Sequence, residues 1–388
     1  MKLVLLSVLA AAASCVHAQV TGTSKGFAAG TTGGGSATPQ YPSSLDELTK
    51  WLTDSTARVI MINKTWDFRS AGGTTTGKCC RDTATTVCSG GTSKGQAWIQ
   101  DTCTSGTAIS CTYYNSPRTP IDVGSNKSIV GVGSKGVIVG KGLRIRGGAS
   151  NVIIQNIHIT NLNPEYVWGG DAITLDGADK VWIDHCKFSL IGRQMLVSGW
   201  GAAGHVTISN NEFDGVTSWS AGCNGKHYWT MLFLGLKDYY TFVGNWVHDV
   251  SGRAPHMGTD KTNSQIYFHA VNNYFQNIGG HAFDIGTNTF VLIEGNKFDN
   301  VDTPLTSGSK TSGAQIYEVV SVADASGCTS KLGYICEWNK LTGSGSFPSL
   351  TSSTALSKLS TYKSSLVSHT SVDNVAKSVT ANAGIGKL

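Results

Sequence analysis

The stretch VIIQNIHITNL (residues 152–162), which recurs as VWIDHCKFSLI (181–191) and VTISNNEFDGV (206–216), decides the fold. Three related segments follow it: YTFVGNWVHDV (240–250), IYFHAVNNYFQNI (266–278) and FVLIEGNKFDNV (290–301). Each has a β-branched or aromatic run, a turn position, an apolar residue, and another apolar residue three positions later. The turn positions, separated by 23 to 34 residues, are Ile157, Cys186, Asn211, Asn245, Asn273 and Asn296.

A repeat of this kind indicates stacked coils. One coil cannot bury its own apolar face, whereas a stack of coils forms a continuous core. Each strand then pairs in parallel with the same strand of the next coil, about 4.8 Å away. The four turn asparagines can hydrogen-bond to one another along the stack. The pattern therefore predicts an all-β protein, a right-handed single-stranded parallel β-helix. A propeller needs a period of about 40 to 50 residues, and a leucine-rich repeat needs a leucine skeleton that this chain lacks.

The two ends of the stack have their own signals. SSLDELTKWL (43–52) places three leucines on one face and predicts a short N-terminal helix, with Ser44 as its cap and Glu47 three residues later. Such a helix would close the end of the apolar stack. Residues after about 345 are rich in Ser and Thr and lose the repeat. They predict a C-terminal tail packed outside the coils. Because coil lengths vary, some turns carry loops that could hold a site.

Composition predicts one secreted domain. Residues 1–18 read as a signal peptide, because Lys2 precedes an apolar run and small residues precede a cut after Ala18. Residues 19–388 contain no linker or charge block and form a single predicted domain. The 47 glycines and the charged fraction of 14% suit a turn-rich β protein. The formal charge of +5 could weakly attract a polyanion. No basic cluster indicates nucleic acid, and no later segment indicates a membrane span.

Ten cysteines become nine once Cys15 leaves with the signal peptide. In a secreted chain most should be paired, and an odd number leaves at least one free thiol. Cys186 is the best candidate for it, because it lies within an apolar strand and reads as inert core. The spacings lack paired CxxC motifs, which argues against zinc.

Motifs along nearly all of the mature chain resemble those of the fungal pectin lyases, in the pectate lyase superfamily of polysaccharide lyases. Any one motif is weak, but their joint order is specific. The motifs are GFAAGTTGGGSATPQYP, NKSIVGVGSKGVIVGKGLRIRG, NVIIQNI, YVWGGDAITL, VWIDH, IGRQ, CNGKHYW, NWVHDVSGRAP, HAVNNYFQN and GGHAFDIGT. The resemblance implies a secreted, monomeric, metal-independent enzyme that needs no cofactor and cleaves α-1,4-linked methyl-esterified galacturonan internally. Its reaction would be β-elimination, which leaves 4,5-unsaturated ends.

The resemblance also implies the catalytic residues. Arg253 in VSGRAP matches the family's catalytic arginine, and Asp171 and Arg193 match its charged companions. The related calcium-dependent pectate lyases place carboxylates near the position of Arg193. A fixed cation there would make a metal unnecessary. The methyl ester removes the carboxylate charge, and Arg193 could stabilise the developing enolate.

The identity of the base stays open at this point. Arginine normally remains protonated, with a pKa above about 12. Repulsion from Arg193 and burial would help Arg253 to act as the base, whereas Asp171 would oppose it. Alternatively, Arg253 only stabilises the enolate, and His256 is a candidate base. His256 also departs from the family pattern, in which lysine is expected at that position.

Aromatic residues within or beside these motifs should bind sugar faces and ester methyls. The predicted substrate-binding residues are Trp168, Trp219, Tyr228, Trp229 and His256; Trp98 and Trp200 are weaker candidates. Carried over from the family, the predicted disulfides are Cys79–Cys103, Cys88–Cys223 and Cys328–Cys336, with Cys80–Cys111 as an additional bridge. Asn63 and Asn126 head sequons and are predicted glycosylation sites.

Three alternatives remain. The first is a calcium-dependent pectate lyase. The second is a non-catalytic pectin-binding protein on the same fold, since fold alone never decides function. The third is a hydrolase of the polygalacturonase type, which needs clustered carboxylates. Asp171, Asp176 and Asp179 are near one another in sequence, but they form no matching paired motif.

Overall fold

The computed structural model describes residues 19–81, 88, 94–100, 102–104, 106–261 and 263–388. The predicted signal peptide, residues 1–18, lies outside the described residues. Strands dominate the described chain, and most are short. In chain order they are β1 (Pro39–Gln40), β2 (Arg58–Ile62), β3 (Thr65–Asp67), β4 (Thr74–Arg81), β5 (Ala97–Ile99), β6 (Thr107–Tyr114), β7 (Ile121–Asp122), β8 (Lys127–Gly131), β9 (Val137–Val139), β10 (Leu143–Arg146), β11 (Ser150–Gln155), β12 (His158–Leu162), β13 (Tyr166–Val167), β14 (Ile173–Asp176), β15 (Asp179–Asp184), β16 (Lys187–Ile191), β17 (Leu196–Ser198), β18 (Gly204–Ser209), β19 (Glu212–Asp214), β20 (Met231–Phe233), β21 (Lys237–Val243), β22 (Trp246–His248), β23 (His256–Met257), β24 (Gln265–Val271), β25 (Tyr274–Ile285), β26 (Thr289–Glu294), β27 (Lys297–Leu305), β28 (Gln315–Glu318) and β29 (Lys340–Thr342).

Helices are short and lie mainly near the two ends of the chain. The α-helices are α1 (Leu45–Thr53), α2 (Ser307–Thr311), α3 (Val322–Gly327), α4 (Thr329–Leu332), α5 (Ser353–Ser360) and α6 (Val375–Asn382). Single 3₁₀ turns occupy Gly26–Ala28, Arg69–Gly72, Ser116–Arg118, Lys363–Ser365 and Val372–Asn374. Among the helices described, none is long and apolar enough to cross a membrane.

The strands form three faces of a right-handed parallel β-helix, as the repeat predicts. The first face is a ten-stranded sheet in the order β1-β2-β8-β11-β15-β18-β21-β24-β26-β28. A second, 15-stranded sheet folds around the long strand β25 and supplies the other two faces. The second face runs β3-β9-β12-β16-β19-β22-β25, and the third face runs β25-β23-β20-β17-β14-β10-β7. Each coil visits the three faces in turn, and equivalent residues such as Val152, Val181 and Val206 stand in register.

The predicted asparagine ladder is present and fully buried. The side-chain amide of Asn211 donates to Oδ1 of Asn245 at 3.0 Å, and Asn245 donates to Asn273 at 2.9 Å. The ladder continues through Asn296 to Asn339, which the repeat does not include. Each rung satisfies amide groups that would otherwise be buried without partners, so the ladder fixes the register at this corner.

The N-terminal helix and the C-terminal tail lie where the sequence predicts. Ser44 caps α1, because its Oγ accepts the backbone N–H of Glu47 at 3.1 Å. Leu48 and Leu52 of α1 are completely buried and belong to the main core. At the other end of the chain, α5 and α6 pack against the outside of the coils in two separate apolar clusters.

The disulfides correct two predicted pairings. Cys79 bonds Cys111 rather than Cys103, and Cys80 bonds Cys103 rather than Cys111. The reason is the alternation of side chains along β4. Because β4 and β6 are antiparallel with Gly77 opposite Cys111, Cys79 shares a face with Cys111, and Cys80 points to the other face.

The other cysteine predictions are confirmed. Cys88 pairs with Cys223, and Cys328 pairs with Cys336. Cys186 is free and lies in the core. Burial raises the pKa of its thiol to about 12, which makes it unreactive at neutral pH.

Candidate active site

The predicted catalytic residues lie at the entrances to consecutive strands of the third face. Asp171 precedes β14, Arg193 precedes β17, Trp229 precedes β20 and Arg253 precedes β23, each by two or three residues. These strands are neighbours in the order β14-β17-β20-β23. The coil geometry therefore gathers residues from four distant sequence segments into one row along the outside of the third face.

Asp171 and Arg193 form a bidentate ion pair. Nε of Arg193 lies 2.8 Å from one carboxylate oxygen and a terminal nitrogen lies 2.5 Å from the other. Both side chains are largely buried, at 20% and 16% exposure for arginine and aspartate. The guanidinium also lies over the ring of Trp168, 3.9 Å from its centroid. Fork-to-fork geometry with a stacked ring holds Arg193 in one orientation.

Arg253 has a different environment. Its guanidinium carbon lies 4.8 Å from the ring centroid of Trp229 and 5.9 Å from that of Tyr228. Within the described part of the chain, no carboxylate lies within ion-pair distance of this guanidinium. The backbones of Arg193 and Arg253 are two strands apart, or about 10 Å at the usual strand spacing. Since Asp171 neutralises Arg193, Arg193 exerts little net repulsion on Arg253.

The backbone of Arg253 is held in an unusual conformation. Its φ is +51°, in the left-handed region that non-glycine residues seldom adopt. The backbone N–H of Arg253 donates to Nε2 of His281 at 3.1 Å, which requires that nitrogen to be unprotonated. Burial lowers the pKa of His281, and the neighbouring His256 and Arg253 act in the same direction, whereas Asp284 opposes them. His281 is therefore suited to remain a neutral acceptor.

His256 lies beside the row and pairs with Asp284 on the neighbouring strand. Its Nδ1 is 2.5 Å from Oδ2 of Asp284, and this hydrogen bond lowers the pKa of Asp284 to about 2. Thr306 donates to the other oxygen of Asp284 at 2.9 Å. Nε2 of His256 has no hydrogen-bond partner among the residues that the structure describes. A carboxylate that fixes Nδ1–H leaves Nε2 as the nitrogen able to exchange a proton.

Aromatic side chains surround the row. Trp229 meets Tyr228 edge-on at 4.9 Å and Trp98 edge-on at 5.5 Å. Trp98 belongs to β5, in a separate four-stranded sheet formed by β4, β5, β6 and β13 that stands beside the coils. Gln96, next to this strand, accepts from the indole N–H of Trp229 at 3.0 Å. The outer sheet thus holds Trp229 in place beside Arg253.

A groove of about 570 Å³ crosses the third face next to the row. Asp171, Arg193, Trp168 and Trp200 line it, whereas Arg253 and Trp229 lie beyond its lining residues. Trp168 and Trp200 are 46% and 65% exposed, which is high for tryptophan and leaves ring surface for a ligand.

The predicted binding residues do not all share this groove. Trp168 lines it, and Tyr228, Trp229 and His256 accompany Arg253. Trp219 is half-buried on the loop after β19, where the ammonium of Lys94 lies 5.0 Å from its ring centroid. Asn63 and Asn126 are exposed in turns, and their glycosylation stays a prediction.

Sequence reasoning missed two positioning histidines. His281 supports Arg253, and buried His227 hydrogen-bonds the backbone carbonyl of Arg193 at 2.8 Å. Burial lowers the pKa of His227 to about 4, so it is neutral over the ordinary pH range. Both lie in motifs quoted above, CNGKHYW and GGHAFDIGT, but neither has a partner within its own motif that would mark its role.

The described groove offers no suitable calcium cage. Calcium takes six to eight oxygen ligands, but Asp171 is committed to Arg193, and Asp176 accepts the backbone N–H of Gly201 at 2.6 Å. Elsewhere in the described chain, Glu212, Asp214 and His248 cluster on the second face. The ammonium of Lys187 already lies 2.7 Å from Glu212 and 2.9 Å from Asp214.

Comparison with known proteins identifies the family of this chain. A family model described as pectate lyase matches residues 1–388. The chain belongs to the pectate lyase family. Within that family, it is 70% identical over 372 residues to "Probable pectin lyase E" of Aspergillus fumigatus, covering 96% of each chain. It is 68% identical over 388 residues to "Probable pectin lyase F" of Neosartorya fischeri, covering all of both chains.

Solved pectate lyase structures share the fold. A structure described as "Pectate lyase bound to hexasaccharide" has a TM-score of 0.61 at 20% identity and covers 97% of this chain and 100% of its own. A second, from a study of the anti β-elimination mechanism of pectate lyase, has a TM-score of 0.59 at 19% identity, covering 95% and 98%. At such low identity, these likenesses concern the β-helix architecture alone.

Proposed function

We propose that this protein is a pectin lyase, an enzyme that cleaves methyl-esterified galacturonan by β-elimination. The observation that carries the proposal is the row on the third face. There, no carboxylate of the described residues pairs with Arg253, and Arg193, bound to Asp171, stands two strands away. Curated relatives at 68% and 70% identity carry the name pectin lyase, which supports the same conclusion.

The reaction needs two things from the protein. A base must remove the proton at carbon 5 of the uronate ester, and positive donors must stabilise the enolate that results. The enolate then forms the double bond between carbons 4 and 5 as the bond from carbon 4 to the leaving oxygen breaks, and that oxygen takes up a proton from solvent. A methyl ester carries no charge, so fixed guanidinium groups can stabilise the enolate without a metal ion. Arg253 stands at the reacting sugar in this proposal, while Asp171 fixes the orientation of Arg193.

The structure leaves two groups able to accept the proton. Among the residues with a described position, no carboxylate pairs with Arg253 to stabilise its charged form. His256 is held by Asp284 with Nε2 open, the arrangement of a general base. The His256→Lys variant distinguishes them: a pH–rate profile that keeps its shape assigns the proton to Arg253, whereas loss of the acid limb assigns it to His256.

Secretion belongs to the same proposal. The N-terminal apolar segment has the features of a signal peptide. Four disulfides accompany it, a number typical of proteins that fold in an oxidising compartment. Mass spectrometry of protein from the culture medium of a secreting host should find an N-terminus at Gln19. Retention inside the cell with residues 1–18 intact would contradict secretion.

The deciding assay measures the absorbance of unsaturated product. The purified protein should produce it from highly esterified pectin with or without a chelator, and produce far less from polygalacturonate. Arg253→Ala should abolish product while the protein still binds pectin. The exposed Arg69, which pairs with Asp67 away from the groove, gives a control variant, Arg69→Ala, that should retain activity.

Three results would contradict the proposal in different ways. A requirement for added calcium and preference for polygalacturonate would indicate a pectate lyase. Binding of pectin without product, in wild type, would indicate a non-catalytic binding protein. New reducing ends without unsaturated product would indicate a hydrolase.

A further inference from the structure

Charges along the groove are balanced except at one end. Arg118, Arg144 and Arg193 are the arginines among its lining residues. Arg193 is paired with Asp171, and Arg144 is paired with Asp122 at 2.5 Å. Within the described chain, the guanidinium of Arg118 has no carboxylate within ion-pair distance.

The carboxylates nearest to Arg118 do not neutralise its positive charge. Asp122 is shared, because Arg146 also contacts it at 2.8 Å. Asp176 stands opposite Arg146 on the neighbouring strand. Three arginines therefore face two carboxylates at this end of the groove, which leaves a net positive charge next to the lining surface.

Arg118 is also held in position. Its guanidinium donates to the hydroxyl of Tyr113 at 3.2 Å and lies 4.9 Å from the centroid of that ring. Tyr113 is itself buried, at 8% exposure. The backbone next to Arg118 packs tightly, because a Cβ atom at Gly170 would lie 2.5 Å from the carbonyl oxygen of Pro117. This contact joins the Arg118 turn to the loop that carries Asp171.

We propose that Arg118 binds the free carboxylate of a de-esterified galacturonate unit, several sugars away from the bond that is cleaved. The inference rests on the proposed pectin lyase function and adds to it a subsite that accepts one free carboxylate on an otherwise esterified chain. A planar guanidinium with unused N–H groups matches a carboxylate with two hydrogen bonds, whereas a methyl ester is uncharged.

The location fits a remote subsite. The Arg118 turn packs against Gly170 just before β14, and β14 is three strands away from β23, which Arg253 precedes. At the usual strand spacing, this separation is about 14 Å. A free carboxylate at the cleaved unit would oppose elimination, but one at this distance would not. Arg118 is therefore a specificity residue rather than a catalytic one.

The test compares variants on two substrates made from one pectin stock, one almost fully esterified and one partly saponified. Arg118→Gln should lower kcat/KM on the partly saponified pectin by about two- to fivefold, the range for an exposed ion pair. It should leave kcat/KM on the fully esterified pectin unchanged. Added salt should reduce the difference, because salt screens exposed charges.

Arg69→Gln is the matched control. Arg69 also lies over a tyrosine of β6, Tyr114, at 6.0 Å, but it faces away from the groove. This variant should behave as wild type on both substrates. Arg118→Lys keeps the charge but not the planar fork, and it should fall between wild type and Arg118→Gln.

Equal loss on both substrates, or no loss on either, would overturn the role of Arg118 while leaving the lyase assignment intact. Affinity electrophoresis in partly saponified pectin gives a reading that is independent of catalysis. Arg118→Gln should migrate faster than wild type there and equally in esterified pectin. Absence of unsaturated product from wild type would refute the lyase assignment, and the electrophoresis would still decide whether Arg118 binds the carboxylate.

Discussion

Replacing His281 by alanine removes the acceptor of the Arg253 backbone N–H, and it does so without touching the guanidinium. The N–H donates to Nε2 of His281 at 3.1 Å, and the residue it belongs to has a φ of +51°. A left-handed backbone costs a non-glycine residue about 1–2 kcal/mol, and one hydrogen bond contributes about 1 kcal/mol. His281 therefore offsets much of the cost of presenting Arg253 correctly.

Without that bond, the loop can relax, and only a fraction of molecules would present Arg253 in the active orientation. A population penalty of about 1–2 kcal/mol corresponds to roughly a 5- to 30-fold decrease in kcat. KM should change little, because the groove and its aromatic side chains are untouched. The measurement is the initial rate of unsaturated product across a range of pectin concentrations.

Glutamine at position 281 provides the rescue, because its side-chain oxygen can reach the position of Nε2. His281→Gln should recover most of kcat. It should also remain active at lower pH than wild type, because the wild-type acceptor is lost once His281 is protonated below its lowered pKa. His205→Gln, on the first face beside Asp179, is the control and should match wild type.

An unchanged kcat in His281→Ala would refute this account, since the left-handed conformation would then be held by other contacts. A rise in KM alone would also refute it, because it would place His281 in substrate binding. Equal losses in His281→Ala and His281→Gln would show that the ring matters for packing against Tyr228 rather than as an acceptor.

Three further predictions concern the ladder, the ion pair and the acid range. Asn245→Ala removes four side-chain hydrogen bonds and leaves the buried backbone N–H of Asn211 without its acceptor, so chemical denaturation should show a loss of about 3–6 kcal/mol; a loss below about 1 kcal/mol would contradict the ladder's role. Asp171→Asn breaks a charged bidentate pair and should lower kcat/KM by roughly 10- to 100-fold. Activity within twofold of wild type would show that Asp171 is not needed for the reaction. His256→Ala should lower the unfolding free energy by about 1 kcal/mol after allowance for solvent screening. Because the pKa of Asp284 is lowered to about 2, that stabilisation is present above about pH 4 and should vanish as the pH falls towards 2. If wild type and His256→Ala still differ in unfolding free energy below pH 2, the pairing is contradicted.

The architecture could be predicted from the sequence because the pattern that encodes it is short and is repeated in six segments. Equivalent positions in six segments predict which residues stack, and Asn211, Asn245, Asn273 and Asn296 do stack. Asn339 escapes that reasoning, since 43 residues separate it from Asn296 and no repeat marks it. A ladder position can be recognised by spacing only while the coil length stays within the range of its neighbours.

The disulfide exchange has a similar origin. Cys79 and Cys80 are adjacent, so their distances along the chain to Cys103 and Cys111 hardly distinguish the possible pairings. What decides between them is the face of β4 to which each side chain points, and that depends on the register with β6. Register across an antiparallel pair outside the repeat cannot be read from the spacing of cysteines.

The sequence also predicts the candidate site only in part. Motif resemblance identifies Asp171, Arg193 and Arg253, but not that the first two bind each other while the third stands apart. Nor does it identify His281, which reaches the row only because its strand follows β23 in the sheet. These side-chain contacts depend on which strands are neighbours on the third face, and only the folded structure shows that order.

These observations explain how the β-helix can carry a site of irregular loops without losing its register. The asparagine ladder holds the coils in register at a corner. In the interior, stacked rings such as Phe275 and Phe298, whose centroids lie 4.7 Å apart, do the same. The row that contains Asp171, Arg193 and Arg253 lies at strand entrances on another face, after connections of unequal length. A longer loop there shifts side chains such as Trp168 without disturbing the ladder. The added residues lie outside the stacked coils, between the end of one strand and the start of the next. Substrate preference can therefore change through groove residues such as Arg118, while the interior that aligns Asp171, Arg193 and Arg253 stays constant.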